Sequence, residues 1–198
     1  MSTPAARRRA AAVAGHTADR VTARRLCSDP DPSVRSAAIG ALARLDALTH
    51  DELASALKDP DATVRRRAAE VAATNAGGSL LALLHDDDDS VVEVAAFALG
   101  ERRPPEAGAV EALSAIAVEH HDPLCRESAV AALGALGDPA GLPAILSACN
   151  DKPTVRRRAV IALAPFDGPE VTAALGRARN DRDRQVRQSA EDLSAPPP

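Results

Sequence analysis

Apolar and polar residues follow one another along this chain in a pattern that returns six times. In each copy a valine, replaced once by cysteine, follows an aspartate-rich turn and opens a stretch where Ala, Leu, Val or Ile recur every three to four residues. That spacing puts the apolar side chains on one face of an α-helix. The anchor residues that open these helices recur at intervals of roughly 30 residues, and they are Val34, Val64, Val91, Cys125, Val155 and Val186.

A shorter helical stretch precedes each anchor, so each period predicts a helical hairpin. We call the helix that starts at the anchor the inner helix and the one before it the outer helix. Thr49 and Glu52 form a capping-box pattern. Asp31 followed by Pro32 is a typical helix start. The predicted outer helices cover residues 18–27, 49–58, 79–85, 106–120, 140–149 and 170–178.

The repeated segments, each with an aspartate-rich turn and an anchor residue, resemble HEAT repeats, specifically the short HEAT-like type shared with the phycobilin lyase family. The resemblance covers nearly the whole chain and rests on the pattern Asp-Pro-x-x-x-Val-Arg-x-x-Ala-x-x-Ala-Leu at residues 29–42 and its relatives. It implies an all-α fold, a right-handed α-solenoid of about six HEAT-like hairpins. We expect the solenoid to span residues 17–193, with a basic N-terminal capping helix within residues 1–16 and a Pro-rich disordered tail at residues 194–198.

The resemblance also implies a structural ladder in which arginines pair with aspartates along the stack. A charge-assisted pair between adjacent turns would fix the register of the repeats. The third copy departs from the pattern, with Val92 in the arginine position and four aspartates at residues 86–89, so we expect the ladder to be broken or rewired there. The implied ladder residues are Asp31, Arg35, Asp61, Arg65, Asp122, Arg126, Asp151, Arg156 and Arg187, with Asp181 or Asp183 as the last acid.

Positions two, three and six after each anchor are predicted to face the concave side of the solenoid. Charged side chains there would bind an acidic or mixed-charge peptide surface, or simply form a solvated face of mixed sign. Large apolar side chains at these positions would either anchor a partner or be buried between repeats. The predicted partner-binding residues are Arg66, Arg67, Glu70, Glu93, Phe97, Glu127, Arg157, Arg158 and Ile161.

No catalytic, metal-binding or cofactor-binding set is predicted. Glu119, His120, His121 and Asp122 are the densest set of potential metal ligands, but neighbours along a helix diverge around it, which favours a loop-end cluster without a metal. The aspartates at residues 86–89 lack the glycine and distal glutamate of an EF-hand loop. They could cap a helix, bind a cation or dock a basic partner.

The composition of the chain argues against several classes of function. A net charge of −4 and the lack of Trp and Tyr argue against nucleic-acid binding. Three cysteines at unrelated spacings and no long apolar run predict a reduced, cytoplasmic protein without a membrane span. We therefore expect a non-catalytic protein-interaction scaffold. The alternative, implied only by the resemblance, is a lyase-like or chaperone-like factor that acts on a cofactor-bearing protein.

Overall fold

The computed structural model describes residues 2–75 and 77–194. These residues fold into helices joined by short turns, with no strand among them, and the predicted all-α repeat solenoid is confirmed as the fold class. The chain divides into two compact units, residues 1–98 and residues 99–198. The predicted tail lies outside the described residues except for Ser194, whose backbone ends the last helix.

Unit 1 pairs a layer of inner helices with a layer of outer helices. The inner helix α3 packs against the inner helices α1 and α5, while the outer helices α2 and α4 pack against α3 and α5. A 3₁₀ helix at Leu81–His85 occupies the third outer position, where an α-helix is predicted at residues 79–85. The α-helices are α1 (Pro4–Ala14), α2 (Arg20–Leu26), α3 (Pro32–Arg44), α4 (His50–Ala56), α5 (Ala62–Ala72) and α6 (Asp89–Glu101), which begins in unit 1 and ends in unit 2.

Unit 2 repeats this arrangement. The inner helix α10 packs against α8 and α12, and the outer helices α7, α9 and α11 each pack against the inner helix that follows. None of the helices in the described part of the chain is long and apolar enough to cross a bilayer. The α-helices are α7 (Ala109–Glu119), α8 (Pro123–Leu136), α9 (Leu142–Ala148), α10 (Pro153–Ala162), α11 (Pro169–Ala178) and α12 (Arg184–Ser194), with a 3₁₀ turn at Pro139–Gly141 before α9.

Local start signals explain where the helices begin. Thr49 and Glu52 form the predicted capping box at α4. Prolines occupy the first helical position of several helices, as Pro32 does in α3. The third outer segment stays a 3₁₀ helix because Gly77 and Gly78, both at positive φ, precede it and only a few residues remain before the next loop begins.

The core of each unit is a spine of small and medium apolar side chains. The anchors are at most 1% exposed, and the alanine four residues after each anchor is fully buried. Alanine at that position keeps neighbouring inner helices close together. The approach is tightest where Gly134 of α8 faces Ala162 of α10, since a Cβ built on the glycine would lie 2.7 Å from the Cα of Ala162.

Arginine–aspartate ion pairs link successive loops within each unit. In each pair the arginine donates from Nε and Nη2 to both oxygens of an aspartate 21–25 residues further along the chain, at 2.6–2.9 Å. The third nitrogen, Nη1, donates to a backbone carbonyl at the start of the arginine's own repeat, such as that of Asp29 for Arg35. One guanidinium therefore fastens its own loop and the next one. The described pairs are Arg7–Asp29, Arg35–Asp59, Arg65–Asp86, Arg126–Asp151 and Arg156–Asp181.

Each ladder aspartate also shapes its own loop. Oδ1 of Asp59 accepts the Asp61 N–H at 2.9 Å in addition to its bond from Arg35. Asp29, Asp86 and Asp181 make the same bond to the residue two positions on. This is the turn that aspartate favours. Loop shape and the link to the preceding repeat thus depend on one carboxylate.

The sequence-based assignment of the ladder acids is wrong at Asp31, Asp61 and Asp122. These aspartates are N-caps, whose Oδ1 accepts the N–H of the residue two positions on in the first turn of the inner helix. In the loops of Asp31 and Asp61 the ladder acid lies two residues earlier, at Asp29 and Asp59. At the C-terminal end, Asp183 is likewise a cap and Asp181 is the ladder acid. Arg187 bonds only to the backbone of its own loop, at the carbonyls of Asp181 and Arg182, among the described contacts.

The ladder is interrupted at the third repeat, as expected. The third repeat keeps its aspartate but lacks its arginine. Asp86 keeps its pair with Arg65, whereas Val92 replaces the next arginine and is fully buried. The matching acid position of the fourth repeat holds His120, whose Nδ1 accepts the Asp122 N–H as a ladder aspartate otherwise does. Both members of this ladder step are therefore replaced together, at the point in the sequence where the chain divides into two units.

Replacing Gly134 with alanine is expected to lower the free energy of unfolding by about 1–2 kcal/mol, because α8 and α10 must separate to admit the methyl group. Gly176→Ala in α11 is the matched control, since nothing lies within 4 Å of its added Cβ. It should raise the free energy of unfolding by up to about 1 kcal/mol through helix propensity. Urea unfolding followed by circular dichroism measures both, and equal effects would contradict the close approach.

A double-mutant cycle on Arg156→Met and Asp181→Asn is expected to give a coupling energy of about 1.5–3 kcal/mol. The pair is bidentate and only 8% and 15% exposed at its two side chains, so solvent screens it little. The exposed pair of Arg24 and Glu52, at 49% and 26%, is the control and should give a clearly smaller coupling energy, because solvent screens it. A smaller coupling for the ladder pair than for the control would refute its stabilising role.

Acidification is expected to remove the contribution of the ladder. Bonds from Arg65 hold the pKa of Asp86 below its ordinary value of 3.8, and bonds from Arg156 do the same for the pKa of Asp181. A carboxylate with a lowered folded-state pKa stabilises the fold above its unfolded-state pKa, and this stabilisation is lost as the pH falls through the folded-state value. The melting temperature should therefore stay nearly level from about pH 7 to 5 and fall below about pH 4.

The control for this pH dependence is Asp181→Asn, which removes one titrating ladder acid. Its melting temperature should be lower than that of the wild type at neutral pH and should fall less on acidification. An identical decline in both proteins would show that the ladder acids do not carry the acid sensitivity.

Candidate functional site

On the inner helices, one set of side chains is exposed or half-buried, while the anchors and the alanines that follow them are buried. We call the residues two, three and six positions after each anchor the inner-helix face. The residue two positions after the anchor is exposed at Arg66 and Arg157, whereas Ser36 of α3 is buried. The face is therefore accessible in both units. All of the predicted partner-binding residues, Arg66, Arg67, Glu70, Glu93, Phe97, Glu127, Arg157, Arg158 and Ile161, are exposed or half-buried.

In unit 1 the face of α5 is cationic. Arg67 donates from Nη1 to Oε2 of Glu70 at 2.5 Å. Its side chain also reaches over α3, since a Cβ built on Gly40 would lie 3.6 Å from the Cδ of Arg67. The Nε of Arg67 is buried and has no acceptor among the described residues. The neighbouring Arg66 is exposed and has no described ion pair, so α5 offers guanidinium groups that the fold itself does not use.

In unit 2 the face of α10 and α8 carries both signs of charge. Arg158 of α10 donates to Glu127 of α8, but the distance is 3.4 Å and the side chains are 38% and 22% exposed. Such an exposed pair contributes little to stability. Arg157 is exposed and has no described acid partner. The charges of this face are therefore available to a ligand at small cost to the fold.

Large apolar side chains also remain on the face. Phe97 is 54% exposed and Ile161 is 37% exposed, so the structure does not bury them between repeats. Leu124, one position before the anchor of α8, is 55% exposed and was not predicted as a site residue. Apolar groups of this size beside charged ones are typical of partner-binding surfaces.

The N-terminal segment contributes another inner helix, which the repeat pattern did not reveal. Arg7 of α1 makes the same bidentate pair as the other ladder arginines, with Asp29. Ala6 therefore occupies the anchor position, and Arg8 and Arg9 occupy the face positions two and three residues later. The triplet at residues 7–9 matches those at residues 65–67 and 156–158 in sequence, which was the available signal.

The histidine-rich loop has a structural role. Asp122 caps α8 through the Leu124 N–H, and His120 closes the preceding turn through the Asp122 N–H. The rings of His120 and His121 stack with centroids 4.7 Å apart. Both carbonyls of these histidines accept from Nη1 of Arg126. These bonds account for the cluster as part of the loop before α8.

The cysteines lack the properties of nucleophiles. Burial raises the pKa of the Cys27 thiol and of the Cys149 thiol to about 11, so both are protonated at neutral pH. Cys125 is fully buried in the anchor position, as predicted for a small apolar residue.

A cleft of about 380 Å³ beside Cys27 in unit 1 is lined by charged groups that the fold already uses. Arg35 is paired with Asp59, and Arg24 donates from Nε to Oε1 of Glu52 at 2.6 Å. The arginines of this cleft therefore hold neighbouring repeats together. They do not form an anion site.

Comparison with protein families identifies the repeats. Residues 78–154 match the model described as "HEAT repeats", and residues 23–46 match the model described as "HEAT repeat". No curated protein matches the chain in sequence.

Solved structures share the fold at low sequence identity. An engineered protein matches with a TM-score of 0.67 and 21% identity, over 88% of this chain and 94% of that chain. A designed armadillo repeat protein in complex with the peptide (KR)4 matches with a TM-score of 0.63 and 18% identity, over 88% of this chain and 97% of that chain. Human deoxyhypusine hydroxylase in complex with glycerol matches with a TM-score of 0.50 and 22% identity, over 94% of this chain and 77% of that chain. At these identities the likeness concerns the fold alone.

The matches agree with the helical repeats of the fold. The finer resemblance to the repeats of phycobilin lyases stays a prediction. This chain belongs to the HEAT-repeat family.

Proposed function

We propose that this protein is a non-catalytic scaffold that binds a partner protein on the inner-helix face. The observation that carries the proposal is that different residues of each inner helix stabilise the fold and face the solvent. Anchor and ladder residues are buried or paired, whereas Arg66 and Arg157 are exposed on the face and have no described acid partner. Side chains that do not stabilise the fold remain available to a ligand.

The chemistry of the face favours an acidic or mixed-charge partner surface. Arginine forms bidentate bonds to carboxylates and adds apolar contact through its side chain. Phe97 and Ile161 supply apolar area next to these charges. The designed armadillo relative was solved with a basic peptide, (KR)4. The arginines of this chain suit the opposite charge.

The thiols and histidines support the non-catalytic part of the proposal. Cys27 and Cys149 are protonated at neutral pH, and His120 is engaged in its loop. The lyase-like or chaperone-like alternative rests on the family resemblance alone, and no described contact favours it over binding.

Reversing two face charges, Arg66→Glu together with Arg157→Glu, is expected to reduce partner capture roughly tenfold, because both introduced carboxylates repel an acidic partner. Affinity capture from a lysate of the native host, followed by quantitative mass spectrometry, measures the effect. Circular dichroism should show unchanged helicity and melting, since neither arginine has a described partner in the fold.

The matched control is Arg25→Glu together with Arg179→Glu, which changes the net charge equally at two exposed residues, one in the outer helix α2 and one at the C-cap of the outer helix α11. It should capture the same partner as the wild type. If the face variant retained the partner, or if both variants lost it equally, binding on the inner-helix face would be disproved.

A further inference from the structure

Two inner helices of unit 1, α1 and α5, carry arginines at their face positions, and both pack against α3, whose face residues are small. On α1 the face positions hold Arg8 and Arg9, and on α5 they hold Arg66 and Arg67. Arg8, Arg9 and Arg66 are exposed and have no described acid partner. The pairing of Arg7 with Asp29 fixes α1 in the register of an inner helix. The two arginine pairs therefore occupy equivalent positions on helices that both pack against α3.

The helix between them presents no bulky side chain at the same positions. The face positions of α3 hold Ser36, Ala37 and Gly40, which are buried or half-buried. Arg67 lies across this helix at Gly40, with its Cδ 3.6 Å from where a Cβ would be. α3 is therefore a low floor between two cationic helices.

A fifth arginine closes one end of the floor. Arg44, in the last turn of α3, is exposed, and its Nη1 would lie 2.8 Å from a Cβ built on Gly15, just after α1. We call Arg8, Arg9, Arg44, Arg66 and Arg67 the arginine saddle. The acid at the face positions of these three helices is Glu70, and Arg67 already pairs with it. The saddle thus carries a local excess of positive charge on a chain whose net charge is −4.

We propose that the arginine saddle binds an extended acidic segment of a partner protein, with two clusters of carboxylates that meet α1 and α5. This inference rests on the proposed function and specifies the ligand of one part of the face. Carboxylates fit because guanidinium groups bind them in bidentate geometry. The small floor admits the backbone of the segment close to α3.

The helix spacing sets the separation of the two acidic clusters. Packed helices lie about 8–10 Å apart, so α1 and α5 are separated by about 16–20 Å across α3. An extended chain advances about 3.3 Å per residue, so about five to six residues connect the two arginine pairs. Glutamates grouped in one run meet fewer of these arginines in bidentate geometry than two clusters at this separation do.

The composition of the surface favours a peptide over a nucleic acid. Single-stranded nucleic acids are bound through aromatic side chains that stack on bases. The chain has no Trp or Tyr, and its two phenylalanines, Phe97 and Phe166, lie outside α1, α3 and α5. An oligonucleotide would find charges on this surface and no stacking platform.

The test measures fluorescence anisotropy of labelled peptides with the full chain at low salt. One peptide, Glu-Glu-Ser-Gly-Ser-Gly-Glu-Glu, has the required spacing, and its isomer Ser-Gly-Glu-Glu-Glu-Glu-Ser-Gly has the same charge in one run. We expect the spaced peptide to bind several-fold more tightly. Arg8→Glu together with Arg9→Glu should weaken its binding roughly tenfold, as should Arg66→Glu. The outer-helix control, Arg25→Glu together with Arg179→Glu, should bind like the wild type.

The inference is overturned if the α1 variant binds the spaced peptide as the wild type does, if the control weakens as much, or if both peptides bind equally. Tighter binding of a single-stranded oligodeoxynucleotide of equal charge would also overturn it, in favour of nucleic acid. These outcomes are separable from failure of the proposed function. The variant Arg66→Glu with Arg157→Glu could lose the native partner while the α1 variant still bound the spaced peptide fully. That result would disprove the arginine saddle and leave the proposed function standing.

Discussion

One carboxylate connects the local structure of this protein to its repeat packing. It lies at the start of the described inner-helix loops except the loop before α8, where His120 takes its place. Oδ1 of Asp59 accepts an N–H within its own loop and a guanidinium N–H from the preceding repeat, and Oδ2 accepts a second bond from the same arginine. Because the pair is mostly removed from solvent, its geometry is well defined. The relative position of two neighbouring repeats is therefore set by a polar contact, while the alanine-rich spine supplies the apolar burial.

This division explains why the residues of the inner-helix face differ from repeat to repeat. Anchors and alanines fill the spine, ladder arginines fasten the loops, and N-cap aspartates satisfy the first helical amides. The remaining positions vary in charge and size without disturbing the scaffold. Arg66, Glu93 and Arg157 occupy equivalent positions in different repeats.

The sequence predicts the helical hairpins well because their signals are local. Anchor spacing, proline starts and the Thr49–Glu52 capping box each concern residues within one or two turns. The ladder arginines could be placed by resemblance, and so could Asp151, the single aspartate of its loop. The acids Asp29 and Asp59 were misplaced because their loops offer two aspartates with different roles. Asp59 and Asp61 differ only in the groups that donate to them. Asp59 accepts from the guanidinium of Arg35, whereas Asp61 accepts from the backbone N–H of Thr63. The helix α1 was expected as a capping helix, but its register as an inner helix was missed because Ala6 replaces the valine anchor. The pair of Arg7 with Asp29 establishes that register.

Each ladder arginine holds the loop of the following repeat in place. Native-state hydrogen exchange of the variant Arg35→Met, measured by mass spectrometry, is the decisive experiment. We expect faster exchange in residues 57–64, the loop and first turn that contain Asp59, in addition to the loop at residues 29–34. Faster exchange confined to residues 29–34, with residues 57–64 protected as in the wild type, would contradict it.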